Sequence, residues 1–216
     1  MPLVVYLDPY FLGDPLFVPG LARDLAARGS GVLLVHGSGE RGERALEALG
    51  DVPTSDGGVW RTRGLEGEQA VERAARELNR EIHHELNEAG VATIRVAGSD
   101  RGLLRPVGGA LEVGNAAWLS QSLAQGVTAV LVSLVRVGGR ALEVDPATAA
   151  GRLSAALGLE AVALTTGPVE ETALEAAPLP DRDAVRRLAK GAGYVAAGPR
   201  VLLRSASDTE FTRLAP

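Results

Sequence analysis

Val32 to Gly42, VLLVHGSGERG, constrains the fold of this chain more than any other stretch. Four apolar residues, Val32 to Val35, run straight into Gly37, Ser38 and Gly39, and a charge-rimmed apolar segment, Glu43 to Leu49, follows. The order is that of a buried strand, a tight glycine turn and a helix start. Glycines let a backbone approach a ligand closely, and the free N–H groups of a helix N-terminus favour an anion. Two readings stand side by side. In one, Gly37, Ser38 and Gly39 cradle a phosphate or carboxylate; in the other, the turn simply joins two elements of an α/β protein.

The same alternation runs along the whole chain. Leu3 to Leu7 reads as a short strand, Asp8 to Pro19 as a proline-rich connection and Pro19 to Arg28 as a helix stopped by Gly29. Asp51 to Gly67 is polar and glycine-rich. In Glu68 to Ala89, Val71, Ala74, Ala75, Leu78, Ile82 and Leu86 recur at helical spacing. Val91 to Ala97 predicts a strand, Leu103 to Val113 a hairpin turning at Gly108-Gly109, and Ala116 to Gln125 a helix. Thr128 to Val135 predicts a single strand, Pro146 to Leu157 a helix and Ala161 to Thr165 a strand. Gly167 to Pro180 reads as a connection, Asp181 to Lys190 as a helix and Val201 to Leu203 as a strand. Strands alternating with helices predict an α/β layer with a mostly parallel sheet and right-handed crossovers. A soft boundary at Gly126 to Gly139 predicts an N-terminal lobe over 1–126 and a shortened C-terminal lobe over 127–216, or one continuous domain.

The 216 residues are 46% hydrophobic but only 4% aromatic, so the core must be built from Val, Leu and Ala. The absence of cysteine excludes disulfides, thiol catalysis and thiolate metal sites. A net charge of −5 without a basic stripe argues against a nucleic-acid partner. No basic leader and no long apolar run is visible, which predicts a cytoplasmic protein without a membrane partner.

Few residues are candidates for chemistry. His83 and His84 are neighbours on a helix, point about 100° apart and cannot chelate one metal together. His36, at the end of a buried strand, either donates to a ligand or anchors the turn. Arg61 and Arg63 suit bidentate capture of a carboxylate, or are solvated loop arginines. Asp100, in Gly98-Ser99-Asp100, caps or binds. Glu143 and Asp145 lie two apart, which makes a magnesium site conceivable, but Asp145 is a natural helix N-cap and capping is the better expectation. Lys190 is the only lysine.

Taken in order, these pieces resemble the amino-acid kinase family, and within it the kinases of N-acetylglutamate and of carrier-linked aminoadipate. VLLVHGSGERGERALEALG looks like the family's strand, VHGGG or VHGGS turn and helix. Glu77 to Gly98 is similar to its long helix and following strand, Gly98-Ser99-Asp100-Arg101-Gly102-Leu103 to its G-x-D-G-x-L turn, and Gly139 to Gly167 to the stretch holding an NVNAD motif. The resemblance implies a three-layer α/β/α sandwich with an open sheet, its C-terminal lobe reduced here. It implies transfer of the γ-phosphoryl group of ATP, with Mg2+, to the side-chain carboxylate of an acyl amino acid, and a homodimer. On that basis Gly37, Ser38 and Gly39 bind the phosphoryl group, Arg63 and Asp100 bind an acidic or acylated amino-acid substrate, and Lys190 is the surviving catalytic cation; no metal ligand is assigned.

The sequence departs from the family pattern where the chemistry is concentrated. The family's first strand ends in lysine and a glycine pair; here Tyr6 replaces the lysine and Asp8-Pro9 the glycines. NVNAD becomes Glu143-Val144-Asp145-Pro146-Ala147. A phenol is no substitute for a cation on a phosphoryl group, Asp8 repels one, and Pro9 has no N–H to offer. Two functions therefore follow: an N-acetylglutamate kinase-like phosphotransferase of arginine or lysine biosynthesis with an altered catalytic set, or a non-catalytic relative that binds an amino-acid-like ligand or a partner kinase.

Overall fold

The computed structural model of the chain describes residues 2–170, 172–199 and 211–214. The elements run β1 (Leu3–Tyr6), α1 (Pro9–Leu12), α2 (Phe17–Arg28), β2 (Val32–His36), α3 (Gly39–Glu47), β3 (Ser55–Asp56), β4 (Val59–Trp60) and α4 (Gly64–Glu88). They continue with β5 (Thr93–Ala97), β6 (Leu104–Val107), β7 (Ala110–Val113), α5 (Ala117–Ala124), β8 (Thr128–Val132), β9 (Leu134–Val137) and β10 (Arg140–Glu143). The last are α6 (Pro146–Leu157), β11 (Glu160–Thr165), α7 (Arg182–Ala192), β12 (Val195–Pro199) and β13 (Thr212–Leu214).

One seven-stranded sheet, ordered β13-β12-β11-β1-β2-β8-β5, organises the molecule. All its pairings are parallel except that of β13 with β12. Strand alternation sorts the core between its two faces. Leu3 and Val5 of β1 pack with Phe17, Leu21 and Leu25 of α2 and Leu78, Ile82 and Leu86 of α4. Val4 and Tyr6 point the other way, against Ala147, Ala150 and Leu153 of α6, Val185 and Leu188 of α7, and Leu119 of α5. Small residues on α6 (Ala147, Ala149, Ala150, Gly151) let α7 come close, so a core almost without aromatics still fills. The predicted three-layer α/β architecture is thus the one observed.

Several boundaries differ from expectation for identifiable reasons. Asp8 to Pro19 is not simply a connection: Pro9 opens α1, the Asp8 carboxylate accepting from Tyr10 N–H at 2.9 Å. Helix α3 starts at Gly39 rather than Glu43, because its first turn is glycine and charge rather than apolar residues. Thr128 to Val135 is two strands. At Ser133 the backbone bonds to the His36 carbonyl at 2.9 Å, after which β9 leaves the main sheet to pair with β10. The strand predicted at Val201 to Leu203 lies outside the described residues; β12 precedes it.

Candidate functional site at the ends of the central strands

In open α/β sheets ligands bind outside the carboxyl ends of the strands, where successive connections leave to opposite sides. Strand β1 is that point here: β2 pairs on one side of it and β11 on the other. Its last residue, Tyr6, lies in register with Val35 and Ala163.

The β2 side is a closed hydrogen-bond network. His36 is fully buried. Its Nδ1 donates to the Gly37 carbonyl at 2.8 Å, and its Nε2 accepts from Asn79 Nδ2 at 3.0 Å. Asn79, on the sheet-facing side of α4, also donates to the Val130 carbonyl at 2.9 Å. An Nε2 that accepts fixes the neutral Nδ1–H tautomer. Burial agrees, pulling the imidazole down to about 4 although the Gly37 bond opposes it. His36 therefore anchors the turn.

The amide and hydroxyl of Ser38 both donate to the Glu143 carboxylate at the end of β10, the hydroxyl at 2.9 Å. A Cβ at Gly37 would stand 2.6 Å from Glu143 Oε1, so the carboxylate can lie on the turn only because residue 37 has no side chain. Burial pushes Glu143 up to about 7, the two Ser38 bonds pull it down, and Asp145 adds to the rise. Trp60 of β4 braces the turn from outside, its indole N–H donating to the Gly39 carbonyl at 2.9 Å. A cavity of about 180 Å³ adjoins the turn, lined in part by Pro9, Ser38, Gly39, Arg41 and Arg44. Both arginines are engaged, Arg41 with Glu81 at 2.5 Å and Arg44 with Glu40 at 3.1 Å.

The β1 side is built from charge. Asp8 is 6% exposed. Asp145 caps α6 through Ala147 and Thr148 N–H and binds Arg187 of α7 through Nε at 2.9 Å and Nη2 at 3.4 Å. Asp181 caps α7 through Ala184 N–H at 2.9 Å. The tip of the β3–β4 hairpin lies over the Asp145–Arg187 pair: a Cβ at Gly58 would stand 2.7 Å from Asp145 Oδ1 and 2.8 Å from Arg187 Nη2. Burial raises Asp8 to about 6, against the Tyr10 bond that lowers it, with Asp181 raising it further and Arg187 lowering it. Burial, then Asp8, Asp145 and Asp181, hold the Tyr6 phenol well above its ordinary range although Arg187 opposes them, so it stays neutral.

Of the residues singled out from sequence, Gly37, Ser38 and Gly39 lie at this edge. Arg63 is exposed at the N-terminus of α4, and among the described residues it has no hydrogen-bond or ion-pair partner. Arg61 pairs with Asp56 at 2.5 Å. Asp100 accepts from the Ala97 amide at 2.8 Å, which ends β5. Lys190 is exposed in the last turn of α7. Glu143 and Asp145 do not converge as a magnesium pair, since one turns to Ser38 and the other to Arg187. Among the described residues no three acidic or histidine side chains are placed to hold a metal ion. The sequence reading overlooked Asn79 and Arg187 and assigned Glu143 no role at the glycine turn. Asn79 carried a signal, a polar residue interrupting the buried face between Leu78 and Ile82.

No helix among the described residues is long and apolar enough to cross a membrane. No protein-family model matches the sequence, and no curated protein does. Solved structures do match the fold. N-acetylglutamate synthase from Neisseria gonorrhoeae, complexed with coenzyme A and N-acetyl-glutamate, superposes with a TM-score of 0.72 at 19% identity, covering 100% of this chain and 59% of the synthase. An isopentenyl phosphate kinase superposes with a TM-score of 0.67 at 15% identity, covering 99% of this chain and 98% of the kinase. The product complex of the T. acidophilum isopentenyl phosphate kinase gives a TM-score of 0.59 at 12% identity over the full length of both chains. The chain thus spans about three fifths of the synthase but the whole of the kinases, and it has an amino-acid kinase-like fold.

Proposed function

We propose that the chain is a non-catalytic member of the amino-acid kinase fold, whose cleft at the ends of β1 and β2 binds a small amino-acid-like ligand and transfers no phosphoryl group. The observation that carries this reading is the Glu143 carboxylate on the amide and hydroxyl of Ser38. Phosphoryl transfer needs cations and backbone donors aimed at the equatorial oxygens. Here those donors already hold a carboxyl group of the chain itself, and the facing strand offers a neutral phenol and Asp8. The guanidinium in the cleft, Arg187, is spent on Asp145.

The likeness to isopentenyl phosphate kinases supports a second reading, a phosphotransferase using ATP and Mg2+, and the likeness to N-acetylglutamate synthase complexed with N-acetyl-glutamate supports an acyl amino acid as its acceptor. In that reading Lys190 of α7 supplies the cation, Gly37 to Gly39 receive the phosphoryl group, and Arg63 and Asp100 hold the substrate.

Thermal unfolding with Mg-ATP, N-acetylglutamate, or both decides between them. A ligand at about a hundred times its Kd stabilises the native state by about 2.7 kcal/mol, several degrees for a domain of this size. The expected result is no shift with Mg-ATP and no acyl phosphate trapped by hydroxylamine. A saturable Mg-ATP shift, or hydroxamate formation from N-acetylglutamate, overturns the non-catalytic reading.

A further inference from the structure

We infer that Glu143 is a built-in competitor for the cleft: its carboxyl group holds the place on Ser38 that a carboxylate of the ligand takes, and the ligand enters by displacing it. This rests on the ligand-binding reading above and adds how that site is regulated.

The place is filled but not completed. Ser38 offers its amide and its hydroxyl, and Glu143 takes both. A further donor beside them is unused. Ser133 is fully buried, and among the described residues its hydroxyl is the buried side-chain polar atom without a hydrogen-bond partner. Strands β2 and β8 pair His36 with Val132, so Ser133 follows beside Gly37. Its amide donates to the His36 carbonyl and its carbonyl accepts from the Val144 amide, each at 2.9 Å, which ties it to the turn and to the residue after Glu143. Leu131 and Val135 pack with Val35 on the α6 side of the sheet, whereas Val132 and Leu134 pack with Ala75 of α4. Alternation therefore turns Ser133 to the α6 side, and Gly37, two residues after Val35, faces the same way. Glu143 lies on that side: a Cβ at Gly37 would stand 2.6 Å from Glu143 Oε1 and 3.3 Å from Pro146 Cγ of α6.

Tethered to β10, the Glu143 carboxyl leaves the Ser133 hydroxyl unpaired, at a free-energy cost. An untethered carboxylate has lone pairs for about four donors and can take the Ser38 amide and both hydroxyls together. Glu143 is free to leave. Its side chain is half-buried, and β10 belongs to a two-stranded ribbon outside the main sheet. Rotation about its own side-chain torsions withdraws the carboxyl with no backbone step. The gap between the turn and Pro146 is thin, which suits a flat carboxylate better than a tetrahedral phosphate. Ser38 is the N-cap of α3, so the helix dipole favours an anion there whether it belongs to the chain or to a ligand.

The test is thermal unfolding and calorimetric titration of the full chain, parent against Glu143→Ala, with sodium N-acetylglutamate and with sodium acetate. Sodium chloride at matched ionic strength is the control, and inorganic phosphate and Mg-ATP are separate arms. Acetate replaces the carbon and the carboxyl group that the substitution deletes, whereas N-acetylglutamate is larger than that gap. Glu143→Ala is expected to bind both saturably, each about tenfold or more tighter than the parent does, because the competitor is gone. Ser38→Ala or Ser133→Ala in that background must weaken both about tenfold, each removing one donor to a charged group. Should Glu143→Ala not fold, Glu143→Gln keeps the shape without the charge and must bind N-acetylglutamate more tightly than the parent. N-acetylglutamate bound equally by parent and variant overturns the inference and leaves the ligand-binding reading standing. Acetate bound without a gain for N-acetylglutamate marks a filled hole only and overturns it too. A Ser133→Ala exchange that changes neither affinity overturns it, as does inorganic phosphate bound in place of acetate. Mg-ATP bound by the parent removes the ligand-binding reading itself.

Discussion

Strands β1 and β2 are parallel neighbours in register, and each hands over to a helix at the same edge of the sheet. Their ends are nevertheless opposite in kind. At the β2 end a chain of hydrogen bonds holds the turn, Asn79 to His36, His36 to Gly37 and Ser38 to Glu143, and among the described residues only the buried Ser133 hydroxyl beside it lacks a partner. At the β1 end Asp8 is 6% exposed, burial and Asp181 raise the cost of its charge, and the Arg187 guanidinium that acts on it is hydrogen-bonded to Asp145 instead. The β2 end is bound together by hydrogen bonds, whereas the β1 end buries a charge. Buried polar groups stabilise when fully satisfied and cost free energy when they are not. Substitutions at the two ends must therefore move stability in opposite directions.

The largest expected effect is at the network's source. Asn79→Ala removes the donor to His36 Nε2 and to the Val130 carbonyl, leaving a buried imidazole nitrogen unpaired. The expected loss is about 2–4 kcal/mol, from two buried hydrogen bonds and an orphaned acceptor. Denaturant titration measures it. A loss below about 1 kcal/mol would erase the distinction between the two strand ends.

Next comes the turn. Gly37→Ala places a methyl 2.6 Å from Glu143 Oε1, and the carboxylate must move. Overpacking of this kind costs about 1–3 kcal/mol. The same substitution in a Glu143→Ala background should cost much less, because the atom it meets is gone. The coupling between the two sites, read from a double-mutant cycle, sharpens the claim that Glu143 is what fills the turn. Additive effects would refute it.

How much of this was legible in the sequence follows from the range of each interaction. The layers were readable, since the short apolar run of Leu3 to Leu7 and the helical period of Val71 to Leu86 are local signals. The cap of α6 was readable too, because Asp145 followed by Pro146 is a helix start on its own terms. Asp8-Pro9 carries that same signal, and it was read as a missing glycine pair rather than as the start of α1. The break at Ser133 was not readable: Val132-Ser133-Leu134 continues a β-forming run, and only the bond from Ser133 to the His36 carbonyl marks where the strand turns away. The pairing of Glu143 with Ser38 joins residues 105 positions apart, and no local pattern encodes it. The site was thus visible as separate turns and caps, while what fills the glycine turn was set by the tertiary fold.

The smallest effect is at β1, and its sign is the reverse. Asp8→Asn keeps the cap on Tyr10 N–H, since Asn caps about as well as Asp, and removes the buried charge. Burial raises the folded pKa of Asp8 from 3.8 to about 6, so the native state binds more protons than the unfolded chain between those values. Stability then falls as pH rises through that window and stays lower above it. Asn does not titrate. The variant should match the parent near pH 3.5 and exceed it by on the order of 1–2 kcal/mol at pH 8. His36 titrates in the opposite sense. Its folded value is lowered to about 4 from 6.5, so its contribution rises with pH across an overlapping window and flattens the parent's own profile. The difference between variant and parent cancels His36 and isolates Asp8. A difference that does not change with pH would show that Asp8 carries no unmet charge, and the contrast between the ends of β1 and β2 would then lose its electrostatic half.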